Sequence, residues 1–306
     1  MKISMKTSDP VDPDRDCLHR FVFEGANVRG VIVRLGASWR QIQQRNQQSG
    51  AIRQVLGEMT AASALLAGDI RMAGNVSVQL SGRGALRMAF AECKSNGELR
   101  AIIRADGECA APLAAEQMQG AVLAITIDRQ PQGSRHQGLV PIEGNRLAEF
   151  LESYFLQSEQ LPTAIWLFAD AAHAAGLLLQ QVPDSGGLSP ADDSLRFEHA
   201  RILAGTVSAE EMFSLSAERL LRRLFAEEDL RLFEPITLRF QCSCSRARVA
   251  GMLHALGREE AFAALDQAGF VTVDCEFCNE RYRFDAVDLE QLLQGAVPFT
   301  TSASRQ

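Results

Sequence analysis

The stretch QCSCSRARV, residues 241–249, and the stretch DCEFCNERY, residues 274–282, together hold four of the chain's seven cysteines. They are Cys242, Cys244, Cys275 and Cys278, whereas Cys17, Cys93 and Cys109 are scattered. Paired thiols separated by a loop supply what tetrahedral zinc wants, four soft ligands with sulfur at about 2.3 Å. Cys275-Glu-Phe-Cys278 has the ordinary knuckle spacing. Cys242-Ser-Cys244 is tighter, and alternate residues of a strand point to opposite faces. That pair can share one ion only if the chain turns at Ser243. Four thiolates on one divalent ion carry a net charge of about -2, which Arg246, Arg248, Arg281 and Arg283 are placed in sequence to offset. Asn279 follows the second pair, where a knuckle needs left-handed backbone, and Asn is second only to Gly there. Zinc is favoured over an iron–sulfur cluster. With no CxxCH, haem attachment is not indicated.

The rest of the composition sets bounds. At 306 residues with 46% hydrophobic content, the chain can bury a substantial core in more than one domain. A net charge of -7 argues against nucleic acid as the main partner. The start, MKISMKTSDPVDPDRD, has no apolar run and reads as a mobile polar leader rather than a signal peptide. No stretch is apolar for long enough to span a membrane. The expected location is the cytoplasm, where thiols stay reduced and clustered cysteines signal metal or redox chemistry.

Periodicity and turn residues organise the chain. LHRFVFEGANVRGVIVRL (18–35) predicts two strands about a turn at Glu24-Gly25-Ala26-Asn27. Ser38 is placed to cap a helix through WRQIQQRN, and a second helix follows over about 51–67. The strand-like runs NVSVQLSG, ALRMAFAE, LRAIIRAD and AVLAITID come next, with SGRG at 81–84 as a hairpin turn rather than a phosphate cradle. A helix over about 146–157 and the strands AIWLFAD and AGLLLQQV complete a large, mostly antiparallel sheet with helices packed on it, an α+β domain.

A Gly-, Pro-, Ser- and Asp-rich linker lies at 182–194. Beyond it Ser208 and Glu211 have capping-box spacing. Ser216 begins a helix whose apolar positions Ala217, Leu220, Leu221, Leu224 and Phe225 form one stripe, expected to bury against the amino-terminal sheet. The expected boundaries are a leader at 1–16, an α+β domain at 17–183, a helical linker domain at 184–231, a zinc-binding module at 232–296 and a tail at 297–306. In the module, Ser245–Leu256 and Arg258–Gln267 read as helices, GFVTVD and RYRFD as strands, and Asp285 caps a last helix. Some sixty-five residues hold too little core to be secure alone, so the ion should contribute to folding. The same thiolates are open to oxidants, which would remove the ligands.

The spacing CxC, thirty residues, CxxC, together with VRG at 28–30, YFLQSEQLPT at 154–163 and AAGLLLQQVP at 174–183, resembles the heat-shock protein 33 family of redox-regulated holdase chaperones over about residues 17–296. The resemblance implies a zinc site of Cys242, Cys244, Cys275 and Cys278 in an inactive reduced form. It implies that oxidation forms two disulfides, Cys242–Cys244 and Cys275–Cys278, releases zinc and unfolds the module and linker. Apolar surface then binds unfolding client proteins without ATP, in a form that is a dimer when oxidised and a monomer when reduced. There are departures: Ala247 where the family often has Glu, Asn279 where Gly often follows CxxC, Ala175-Gly176 where a Gly pair is usual, and a longer leader.

A zinc-ribbon nucleic-acid binder is the alternative, weakened by the acidic total. A thiol oxidoreductase using Cys275 and Cys278 would need a helix after the motif, where the sequence places strands. His19, His136, His173, His199 and His254 form no metal motif, and no nucleotide loop or enzyme constellation is evident.

Overall fold

The computed structural model describes residues 15–294, apart from 49, 70–73, 108, 115, 116, 119, 130–132, 143 and 184–189. The leader up to residue 14, most of the Gly-Pro-Ser linker and the tail lie outside the described residues. The chain divides into two compact units, Met1–Gln241 and Cys242–Gln306.

The first unit runs β1 (Cys17–Phe23), β2 (Val28–Leu35), α1 (Ala37–Arg45), α2 (Gly50–Asp69), β3 (Gly74–Ser81), β4 (Leu86–Lys94), β5 (Glu98–Ala105), β6 (Val122–Arg129), β7 (Ser134–Pro141) and α3 (Leu147–Tyr154). A π-helical turn at Phe155–Glu159 follows, then β8 (Thr163–Ala169), β9 (Ala174–Gln181), α4 (Pro190–Ala204), α5 (Ala209–Ser214), α6 (Ala217–Leu224), β10 (Leu230–Leu232), β11 (Ile236–Thr237) and β12 (Arg239–Phe240). The α+β class is as read from sequence, but the strands are divided over two six-stranded sheets rather than one. The first has the order β10-β1-β2-β9-β8, with β11 also on β1; the second has the order β12-β5-β4-β3-β6-β7.

The divider is α2. Its carboxyl-terminal half, MTAASALLAG, is apolar or small all round, and these residues, Met59 to Gly68, are all buried. A helix with no polar face must be covered on all sides. It touches β3, β4 and β5 of one sheet and β2, β8 and β9 of the other. Close approach depends on small residues: a Cβ at Gly57 would lie 2.5 Å from that of Ala169. No helix among the described residues is long and apolar enough to cross a membrane.

The far face of the first sheet is covered by α4, α5 and α6. Ala217, Leu220, Leu221, Leu224 and Phe225 are all buried there, as the stripe predicts, beside Phe21, Phe23 and Leu177 of the sheet. Phe23 and Phe225 meet edge to face at 5.0 Å. Each such large side chain contributes roughly 1.5–3 kcal/mol before the entropy of ordering is subtracted. Ser208 and Glu211 form the expected capping box, and Ser216 caps α6. Arg34 of β2 donates to the backbone carbonyls of Phe213 and Leu215 at the end of α5. Burial pulls this guanidinium below its ordinary pKa, yet it sits where a helix dipole favours a cation.

Three local readings differ from the sequence. Ser38 lies inside α1 and does not cap it. The cap is Asp16, whose buried carboxylate accepts from the backbone of Gly36 and Ser38 at 2.5 and 2.6 Å. An anion at a helix start is favoured over a hydroxyl. Ser38 Oγ instead accepts from Phe240 N at 2.9 Å. The polar strand β7 has no alternating apolar pattern and lies at a sheet edge. Residues 232–241, counted from sequence with the zinc module, pair with β1 and β5, so the unit boundary follows Gln241.

Asp16→Ala removes the anionic cap of α1 and should lower unfolding stability by about 1–2 kcal/mol, read as a lower urea midpoint with unchanged slope.

Candidate metal centre

The second unit contains α7 (Arg246–Leu256), α8 (Arg258–Ala263), the hairpin of β13 (Phe270–Asp274) and β14 (Arg281–Asp285), and α9 (Ala286–Gln294). Ser245 caps α7 by accepting from Arg248 N at 3.2 Å, and Asp285 accepts from Asp288 N at 2.7 Å at the start of α9. The Asp285 cap was legible in sequence; Ser245, read there as the first residue of the helix, is its cap. The buried apolar core is small: Ala250, Leu253, Ala261, Val271, Phe284 and Leu289. A core of this size supplies little of the folding free energy.

The four predicted cysteines converge. Their Sγ atoms all lie within 4.8 Å of one another. Cys242 and Cys275 are 3.6 Å apart, and Cys244 and Cys278 are 3.3 Å apart. A tetrahedron with metal–sulfur bonds of about 2.3 Å has edges of about 3.8 Å, so the thiols are already spaced as ligands of one ion. The donor set, four sulfurs and no oxygen, suits a soft or borderline metal. It is the one such group among the described residues. His254 lies exposed on α7, outside it.

Two backbone devices bring the thiols together. At the CxC end, strand structure stops at Phe240, and Cys242 and Cys244 both reach the one cluster, so the pair is not held in strand alternation. Arg248 donates to the carbonyl of Ser243 at 2.8 Å and braces the segment between them. At the CxxC end, Asn279 has φ of 59°. The left-handed residue lets Asn279 N donate to Cys275 O at 2.7 Å, while Cys275 N donates to Glu280 O at 2.9 Å. Cys275 and Cys278 therefore sit in a tight turn between two strands, with no helix behind them, which disfavours a thioredoxin-like site.

The arginines do less for the charge than their sequence positions suggest. Arg246 pairs with Asp288 at 2.7 Å and lies over the Phe284 ring at 4.1 Å. Arg281 forks onto Asp274 at 2.7 and 3.0 Å. Arg283 lies over Phe270 at 4.0 Å. They brace the hairpin and α9 rather than the sulfurs. The donor that reaches a sulfur is Tyr282, whose hydroxyl lies 3.1 Å from Cys244 Sγ. Strand alternation sets Tyr282 opposite Val273, two residues before the CxxC turn. Its neighbourhood to the cysteines was visible in sequence, but the fold was needed to show that it points at one of them.

The same contacts separate the thiols electrostatically. Burial raises Cys242 and Cys278 above the ordinary thiol pKa. Burial also pushes Cys244 upward, but the Tyr282 hydrogen bond and neighbouring thiols outweigh it, and the net shift is downward. Tyr282 is raised because its proton is held by Cys244.

The family model described as Hsp33 protein matches residues 16–285. The 33 kDa chaperonin of Azotobacter vinelandii is 43% identical over 295 residues, which is 95% of this chain and 99% of that protein. The 33 kDa chaperonin of Shewanella frigidimarina is 40% identical over 283 residues, 92% of this chain and 97% of the relative. The crystal structure of the 33 kDa chaperonin (heat shock protein 33 homolog) of Thermotoga maritima superposes with a TM-score of 0.75, covering 90% of this chain and 97% of that one. At 22% identity, that likeness bears on the fold alone.

Tyr282→Phe removes the hydroxyl donor while keeping the ring. Outer-shell partners of this kind change metal affinity about 10- to 100-fold; a loss at the low end is expected in competition titrations against a chromogenic chelator.

Proposed function

The chain belongs to the heat-shock protein 33 family of chaperones, and from that premise we propose that it is a redox-regulated, ATP-independent holdase. Zinc held by Cys242, Cys244, Cys275 and Cys278 keeps the second unit folded in the reduced, inactive state. Structural zinc contributes roughly 10–16 kcal/mol of apparent binding free energy at neutral pH, which dominates so small a core. Cysteine thiolates are also the groups an oxidant attacks first. Hydrogen peroxide or hypochlorite takes two electrons from each thiolate pair and is reduced to water or to chloride and water, with the protons drawn from solvent. The disulfides Cys242–Cys244 and Cys275–Cys278 form, and zinc leaves with no ligands. The ring closed by Cys242 and Cys244 is small and strained, so it is readily reduced again.

The observation that carries this reading is the convergence of the four sulfurs in a unit whose own core is thin. The α4–α6 layer adds the response. It is three separate helices held largely by apolar contacts, and lifting it would uncover Phe21, Phe23 and Leu177. Such a contiguous apolar patch is suited to unfolding clients of many sequences, because the hydrophobic effect is non-directional. The active form is proposed to be a dimer, the resting form a monomer, and the compartment a reducing cytoplasm. No enzymatic step is required.

Zinc release, free-thiol count and suppression of client aggregation should rise together when the protein meets peroxide at mild heat. Equal suppression by fully reduced, zinc-loaded protein would sink the redox part of the reading. Leu221→Ala, at a residue only 2% exposed, should loosen the linker by about 2–5 kcal/mol. It should bind an apolar fluorescent dye and slow client aggregation without oxidation.

A further inference from the structure

The strand β8 ends the first sheet, with β9 on one side and no strand on the other among the described residues. In an antiparallel ladder, residues alternate between exchanging both backbone bonds with the partner and pointing both away. The parity here is fixed at both ends. Gln181 N donates to Pro162 O, and Asp170 N to His173 O, so even-numbered positions face β9. Ile165 N instead donates outward to the Glu152 carboxylate at 2.7 Å. Leu167, two residues on, therefore points its N–H and C=O away from β9.

Beside that edge lies a cavity of about 450 Å³, bounded by Ile165–Phe168, the start of α3, the 111–114 segment and one side of α2. Val55, Leu113 and Leu147 give it apolar walls, and Glu58 places a carboxylate in it. The hydrogen-bond partner of Glu58 is Gln54, one turn back, at 2.9 Å, and burial raises its pKa. Arg146, at the same rim, is already paired with Glu149 at 2.7 Å. The cavity thus offers a backbone donor and acceptor at strand spacing, apolar walls and one carboxylate with no cationic partner among the described residues.

We propose that this groove binds an extended polypeptide segment as an added strand on β8, with Leu167 as the backbone anchor and Glu58 receiving a lysine or arginine that lies among apolar residues. Strand addition takes affinity from main-chain bonds and selectivity from pockets for alternate side chains. Side chains facing α2 would meet the apolar walls and then the carboxylate. All of the groove belongs to the first unit and needs no thiol to be oxidised, so it is separate from the redox reading and survives that reading's failure.

The test uses the reduced full-length protein and a fluorescein-labelled peptide, Ser-Val-Thr-Val-Lys-Val-Ser, followed by anisotropy. Saturable binding is expected, weakened about tenfold when the peptide's Lys becomes Glu or when its backbone is N-methylated along one edge. Glu58→Gln should weaken the Lys peptide and abolish the preference for it over the Glu peptide. Ala114→Trp, filling the groove from its rim, should block both. Because that variant can fail to fold, slowed amide exchange of the Leu167 segment on adding peptide to the unaltered protein serves as an independent readout. Absence of saturable binding at millimolar peptide, or binding indifferent to Glu58 and to N-methylation, overturns the proposal. So does self-association of the reduced, unaltered protein in sedimentation that Ala114→Trp abolishes while peptide affinity is kept, which would assign the groove to a second copy of the chain.

Discussion

The first sheet is apolar on both faces, and that constraint shapes everything around it. Antiparallel sheets commonly leave one face to water. Here seven consecutive residues of β9, from Ala174 to Gln180, are buried, and β2 is nearly as closed. One face is met by α2, which is itself wedged against the second sheet. The other is met by the helices α4 to α6. The two covers are not equivalent. The first is twenty residues of continuous helix inside the core. The second is three separate helices, held by the apolar stripe of α6, by Phe197, Ala200, Ala204 and Met212 of α4 and α5, by the capping box at Ser208 and by the reach of Arg34 to the end of α5. Lifting the second would cost the apolar contacts of Phe21 and Phe23 without disturbing the α2 core. The proposed holdase cycle, which exposes apolar surface and leaves the fold standing, draws on this asymmetry.

The second unit solves its stability problem differently. Among the described residues its apolar core is six buried side chains, and its polar braces, such as the Arg281–Asp274 fork, are exposed and worth little singly. What remains, in the proposed reading, is ligation. Turn geometry has therefore been arranged around sulfur: a left-handed Asn279 closes one thiol pair, and an arginine on the Ser243 carbonyl holds the other. In the proposed cycle, the same dependence makes the unit fail as a whole when its ligands oxidise, since nothing else is large enough to hold it.

Much of this was legible from residue type and spacing, for reasons that differ by element. The four cysteines, the left-handed Asn279, the caps at Ser216 and Asp285, and the buried face of α6 are local patterns with one physical solution each. The misses are long-range. Asp16 caps α1 from outside the helix, so no window around Ser38 contains it. The separation into two sheets depends on the stretch Met59 to Gly68 of α2 being buried on all sides, which its composition allows but does not dictate. The short strands β10 to β12 belong with β1 and β5, some 140 to 220 residues earlier in the chain, and only the pairing reveals where the first unit ends. Strand β7 escapes because an edge strand needs no apolar alternation.

Sheet one thus presents two chemically distinct opportunities to another polypeptide. Its covered face is broad and apolar, and recognition there is measured by area and indifferent to sequence. Its β8 edge is narrow and directional. Exposed edges invite pairing and are usually blunted; here Glu152 occupies the outward N–H of Ile165 and leaves that of Leu167 to the groove. A face suits a chain that has lost its structure altogether. An edge suits a chain already extended, at a cost of ordering only a few residues. The face is governed by whatever holds the linker down, whereas the edge is governed only by the fold. If both act, the edge can hold an extended segment while the protein is still reduced, and the face adds area only after the linker is released. Two weak contacts on one chain then reinforce each other through effective concentration, and neither needs high affinity alone.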